Sequence, residues 1–150
     1  MDYVYTFDWY DGPRSGVADY NGQPHFFESQ WVDVGSADRD WYMLSPIPEA
    51  VFEQEVEYWK LWKKYEAAYT AREIGSEHHP FLPVDRARGE ELVQLLQNQL
   101  KIDIVNHLIA QAEFSPTDEH TRQANDAEML VHWKILSSPP SDSRKADYNF

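Results

Sequence analysis

Gly16-Val17-Ala18-Asp19-Tyr20-Asn21-Gly22-Gln23-Pro24-His25-Phe26-Phe27 is the stretch on which the reading of the fold turns. Asn-Gly between two β-prone runs is the strongest short-range hairpin signal, because both residues tolerate the positive φ that a type I′ turn demands. Gly16 to Tyr20 is therefore expected to pair with Gln23 to Trp31, and the sheet it starts is antiparallel. Upstream, Asp2 to Trp9 alternates strictly. Tyr3, Tyr5, Phe7 and Trp9 lie on one side and Asp2, Val4, Thr6 and Asp8 on the other, the pattern of a half-buried strand. Tyr10-Asp11-Gly12-Pro13 makes the turn between them. Downstream, after the polar stretch Asp33 to Asp40, Trp41-Tyr42-Met43-Leu44 reads as a fourth strand, ended by Ser45-Pro46-Ile47-Pro48.

From Pro48 the period changes. Proline pre-sets the first helical φ, and Glu49, Glu53 and Glu55 place negative charge in the first turns, where the helix dipole favours it. A helix from Pro48 to Ile74 is predicted, with Gly75 as its stop. Glu49, Glu53, Glu57, Lys60 and Lys64 form a solvated charged line. Phe52, Val56 and Trp59, flanked by Val51, Tyr58, Trp62, Tyr65 and Tyr69, make an apolar surface broad for one helix. A second helix is expected from an Asp85 N-cap through Leu92, Leu95, Leu96 and Leu100, its spacing continuing through Ile104 to Leu108. Ile109 to Phe114 and Met129 to Leu136 then read as two strands. Between them lie 13 polar residues, Ser115 to Ala127, far more than a hairpin turn requires.

The order β-β-β-β-α-α-β-β, with no repeated βαβ unit, predicts an α+β domain over residues 1–136. Its four N-terminal and two C-terminal strands form a mainly antiparallel sheet packed against two helices, with residues 137–150 as a flexible tail. The four N-terminal strands curling into a small barrel is the alternative.

Composition narrows function more than it names it. Leu, Ile, Val and Phe make up only 22% of the 150 residues, but aromatics reach 15% and six of them are Trp, so a core built on rings is affordable. With no cysteine, thiol nucleophiles, cysteine-ligated zinc and disulfides are excluded. A basic n-region with an apolar h-region and a 20-residue apolar span are both missing, which points to a cytoplasmic protein without membrane association. Twenty-six acids face 13 bases, giving a formal charge of −13, so direct nucleic-acid binding is disfavoured and a protein partner with a basic surface is expected.

Neither phosphate-binding glycine motif occurs, nor does the G-x-S-x-G nucleophile elbow. H-E-x-x-H is absent as well, and the adjacent pair His78-His79 does not form a chelating face by itself, so neither metal nor cofactor is expected. The residues singled out for binding are Asp8, Trp9, Tyr10, Asp11 and Arg14 at the end of the first strand, His25 in the hairpin, and Trp62 on the aromatic helix. Two functions fit. One is an acidic, non-enzymatic interaction domain, an inhibitor or immunity-like factor, with a homodimer through the aromatic helix as a further use of that face. The other is a small hydrolase or ligand-binding domain whose polar, aromatic-rimmed pocket uses Asp8, Asp11, Arg14 and His25, with metal held by His78 or His79. Residues 1–47 hold 11 of the 22 aromatics and eight acids against two bases, so the N-terminal sheet should carry a ring-packed face and an acidic face.

Overall fold

The structure, a computed structural model, describes residues 2–9, 12–30, 41–116 and 129–138. Tyr10, Asp11, Trp31, most of the 115–127 connection and the tail from 139 lie outside the described residues. The chain forms two compact units, Met1–Ile47 with Ile102–Phe150, and Pro48–Lys101.

In the first unit, six antiparallel strands follow one another around a closed barrel: β1 (Asp2–Trp9), β2 (Pro13–Tyr20), β3 (Gln23–Gln30), β4 (Trp41–Pro46), β5 (Leu108–Pro116) and β6 (Met129–Leu136). The Asn21-Gly22 turn is as expected, with φ of 52° and 76°. The expected open sheet packed on helices is not. All six strands, not four, close on one another, and the barrel interior is a core of its own. The physical reason lies in the inward side chains. Phe27, Tyr42, Phe114 and Trp133 form a cluster in which every pair of rings lies 5.4–6.3 Å apart, four of the six pairs edge-to-face and two tilted. Facing them are small residues, among them Val4, Ala18 and Ala110. At Gly16 a Cβ would stand 2.5 Å from the Tyr5 carbonyl oxygen and 3.0 Å from the Phe27 ring, so only glycine fits.

That filling also corrects the reading of β1. Four rings occupy the interior, so the wall opposite them takes Val4, which is 1% exposed, while Tyr3 on the supposed buried face is 59% exposed. Alternation alone identifies two faces of a strand; which one enters a barrel is decided by the volume other strands have already claimed.

The second unit holds α1 (Glu49–Thr70) and α2 (Arg86–Gln99), joined through 3-10 turns at Ser76–His78 and Pro83–Asp85. α1 ends four residues before Ile74. Arg72, not Gly75, takes the left-handed conformation at φ 61°, and Glu73 N–H donates back to the Ala68 carbonyl. Asp85 occupies the N-cap of α2 without a side-chain cap bond and pairs instead with Lys64 at 3.1 Å. Gly89 is buried where a Cβ would stand 2.5 Å from the Phe81 ring. In the first unit, the predicted continuation of α2 through Ile104 to Leu108 does not form: Asp103 Oδ1 accepts from the N–H groups of Val105 and Asn106, and this side-chain turn diverts the chain toward β5.

Candidate functional site

The outer wall of β1–β3 carries the acids. Thr6 pairs with Gly16, but the next partners are Asp8 and Ser15, so Phe7 is an extra residue in β1 and the ladder bulges there. Without the bulge Asp8 would share the inward parity of Val4 and Thr6. With it, Asp8 stands beside Ser15, whose other neighbour is Glu28 on β3. Both carboxylates are exposed. Flanking Ser15 across two strand spacings, they are roughly 10 Å apart. Next to them on the outer wall is the ring stripe of β1, with Tyr3 exposed and Tyr5 and Phe7 half-buried. Acids and rings therefore share a wall in β1, where the alternation assigns them to opposite faces.

Inside, Arg14 is buried and its Nη1 donates to Ser29 Oγ at 3.3 Å; Tyr42 Oη donates to the Pro13 carbonyl at 3.0 Å. Thr6 Oγ1 is buried with no hydrogen-bond partner among the described residues. His25 is buried too, but elsewhere. It pairs with Ala18, four residues along β2 from Arg14, or about 13 Å at the usual rise. There its Nδ1–H donates to the Gln23 carbonyl at 2.8 Å and its ring packs edge-on against Tyr20. Of the residues chosen from sequence, Asp8 and Arg14 thus lie near one end of the barrel, on its outside and inside respectively, while His25 lies apart from both. Trp9 is the last residue of β1 and pairs with Pro13; Tyr10 and Asp11 are outside the described residues.

Glu28 and Ser29 are not singled out by residue type, and Ser15 has no sequence neighbour that marks it as activated, although the signal that groups them is present. A two-residue turn at 21–22 makes paired residue numbers add to 43, which sets Ser15 opposite Glu28 and Gly16 opposite Phe27. No comparable rule announces the bulge at Phe7.

In the helical unit, Trp62 is half-buried, with Lys63 Nζ 5.6 Å from its ring centre, while Trp59 and Tyr65 of the same stripe are buried. His78 and His79 diverge: His78 Nε2 is 3.5 Å from Glu77 Oε1, and the His79 ring packs edge-on against Tyr65. Glu57 does not sit in the charged line of α1 alone, because Arg88 of α2 grips it with two N–H groups at 2.7 and 2.8 Å. That hydrogen bonding holds the Glu57 carboxyl below its ordinary range and raises Arg88. Glu55, read from the sequence as negative charge in the first turns of α1, is fully buried, and among the described residues neither of its carboxylate oxygens has a hydrogen-bond partner. Burial pushes its carboxyl well above the ordinary range. No family model, curated protein or solved structure matches this chain.

Proposed function

We propose that this chain is a non-enzymatic protein-interaction domain that receives a basic partner on the outer wall of β1–β3. The observation that carries the reading is the row Asp8–Ser15–Glu28 beside the outward rings of β1. Exposed carboxylates beside the half-buried rings of Tyr5 and Phe7 offer steering charge and apolar contact on one surface, the combination that partner-binding surfaces use. A net charge of −13 adds long-range attraction for a cationic partner. The alternative, a hydrolase or ligand-binding pocket built from Asp8, Asp11, Arg14 and His25, draws less support, since His25 is about 13 Å along the strand from Arg14.

The test is cross-linking capture from the source cell with the wild-type chain and with the double variant Asp8→Lys, Glu28→Lys. A basic protein retained at about 0.05 M salt, released near 0.3 M and lost with the double variant supports the reading. Capture indifferent to the charge reversal refutes it.

A further inference from the structure

An open cavity of about 550 Å³ lies at the C-terminal end of α1, lined by Tyr69, Thr70, Arg72, Glu73, Ile74 and Gly75. That volume is in the range of small-molecule sites. All six residues belong to the helical unit, so the cavity is a different surface from the acidic row and does not rest on it. Its aromatic wall is fixed in place. Tyr69 is 50% exposed, yet its ring stacks on the buried Tyr65, with centroids 6.1 Å and planes 18° apart. Tyr65 is held in turn by its Oη, which donates to the Gly75 carbonyl at 3.0 Å, and by the edge-on ring of His79. A ring so held has little rotamer freedom left to lose when a ligand covers it.

The charged groups of the lining are opposite in sign. Arg72 and Glu73 are adjacent and exposed, but among the described residues neither makes an ion pair, with the other or with a third group. The last turn of the 22-residue α1 carries no basic residue, so the negative end of its dipole is unbalanced here as well. Glu77 adds a further acid: its carboxylate lies over Gly75, with Oε1 3.5 Å from His78 Nε2. Arg72 also holds φ at 61°, a conformation that glycine adopts freely and an L side chain does not. A side chain retained at that cost points to a use for its guanidinium.

From this arrangement we infer that the cavity binds a free α-amino acid with an apolar side chain. A lone cation is opposed by Arg72, and a lone anion by Glu73, Glu77 and the net charge of −13. A zwitterion satisfies both signs. Its ammonium and carboxylate sit on one carbon, and the groups that receive them stem from neighbouring Cα atoms, about 3.8 Å apart. The planar fork of Arg72 takes the carboxylate, while Glu73 and the end of α1 take the ammonium. The ligand side chain lies against Tyr69 and Ile74, the large apolar groups of the lining.

The probe is L-phenylalanine, titrated to about 20 mM into the full chain while backbone amide NMR shifts are followed. Two relatives run beside it: phenethylamine, which lacks the carboxylate, and 3-phenylpropionate, which lacks the ammonium. Shifts should cluster at residues 69–75 with a Kd of about 1 mM, the range expected of so small a ligand in an open site. Phenylalanine should bind at least about tenfold more tightly than either relative, and Glu73→Gln should weaken it about tenfold. Arg72→Gly separates binding from folding. Relief of the left-handed conformation should raise the melting temperature, while phenylalanine affinity falls about tenfold or more. If Arg72→Gly fails to fold, Glu73→Gln decides alone. No shifts at 69–75, equal affinity for phenylalanine and either relative, or full affinity kept by Arg72→Gly or Glu73→Gln would each overturn the proposal.

Discussion

Replacing Glu55 by Gln should make the chain more stable at neutral pH and leave it nearly unchanged in mild acid. The carboxyl is fully buried with both oxygens unpartnered among the described residues, so burial favours its protonated form and its titration lies well above the ordinary value of 4.5. In the unfolded chain the same group ionises near 4.5. Because the folded value is raised, the contribution to stability is fully present below pH 4.5 and is lost as pH rises toward and through the folded value. Over the range in which the folded carboxyl stays protonated, each pH unit costs about 1.4 kcal/mol. Gln keeps the shape and a buried polar group of similar desolvation cost but cannot ionise. The stability difference between variant and wild type should therefore be near zero at pH 4.5 and grow by about 1.4 kcal/mol per unit, some 3–6 °C in melting temperature for a chain of this size. The assay is urea unfolding of both proteins at a series of pH values, and taking the difference cancels the other carboxylates. A difference flat to within about 0.5 kcal/mol over two pH units, or a Gln variant progressively less stable as pH rises, would refute the reasoning, since either means that the carboxylate is ionised and stabilised in the fold.

Four further expectations follow from particular contacts. Tyr42→Phe should cost about 1–3 kcal/mol in chemical denaturation, because it leaves the Pro13 carbonyl without the hydroxyl that bonds it inside the barrel. Gly16→Ala should cost a similar amount, about 1–3 kcal/mol, by forcing a methyl against the Tyr5 carbonyl and the Phe27 ring; an unchanged melting temperature would contradict the filled interior. Arg72→Gly should add about 1 kcal/mol, since the left-handed conformation at φ 61° costs an L side chain what it does not cost glycine. Glu57→Gln should cost no more than about 1 kcal/mol, because the Arg88 pair is exposed, and the effect should shrink in high salt. With the Glu57 value lowered, its contribution is present above pH 4.5 and disappears as pH falls through the folded value, the opposite sense to Glu55.

The local signals were the legible ones. Asn21-Gly22 sets the hairpin and, through a two-residue turn, the register of β2 on β3. Pro48 and the glutamates after it mark the start of α1 to within one residue. Helix ends were less legible, because a left-handed Arg72 follows α1 and Leu100 leaves the helical conformation after α2, although the apolar spacing of both runs on. For the candidate site, the residue types were recognisable but their grouping was not. Asp8 and Arg14 are six apart in sequence and face opposite sides of the wall, and His25, counted with them, belongs to another level of the barrel.

What the sequence determined by itself is everything carried by neighbours along the chain: the strands, the turn, the antiparallel sense and the two amphipathic helices, because φ preference and side-chain period act over a few residues. What only the tertiary structure decided is closure and its consequences. Whether six strands form a layer or a barrel depends on pairing β1 with β6, more than 120 residues apart, and on interior volume shared among all of them. Four rings contributed by β3, β4, β5 and β6 fill that volume, which turns the rings of β1 outward.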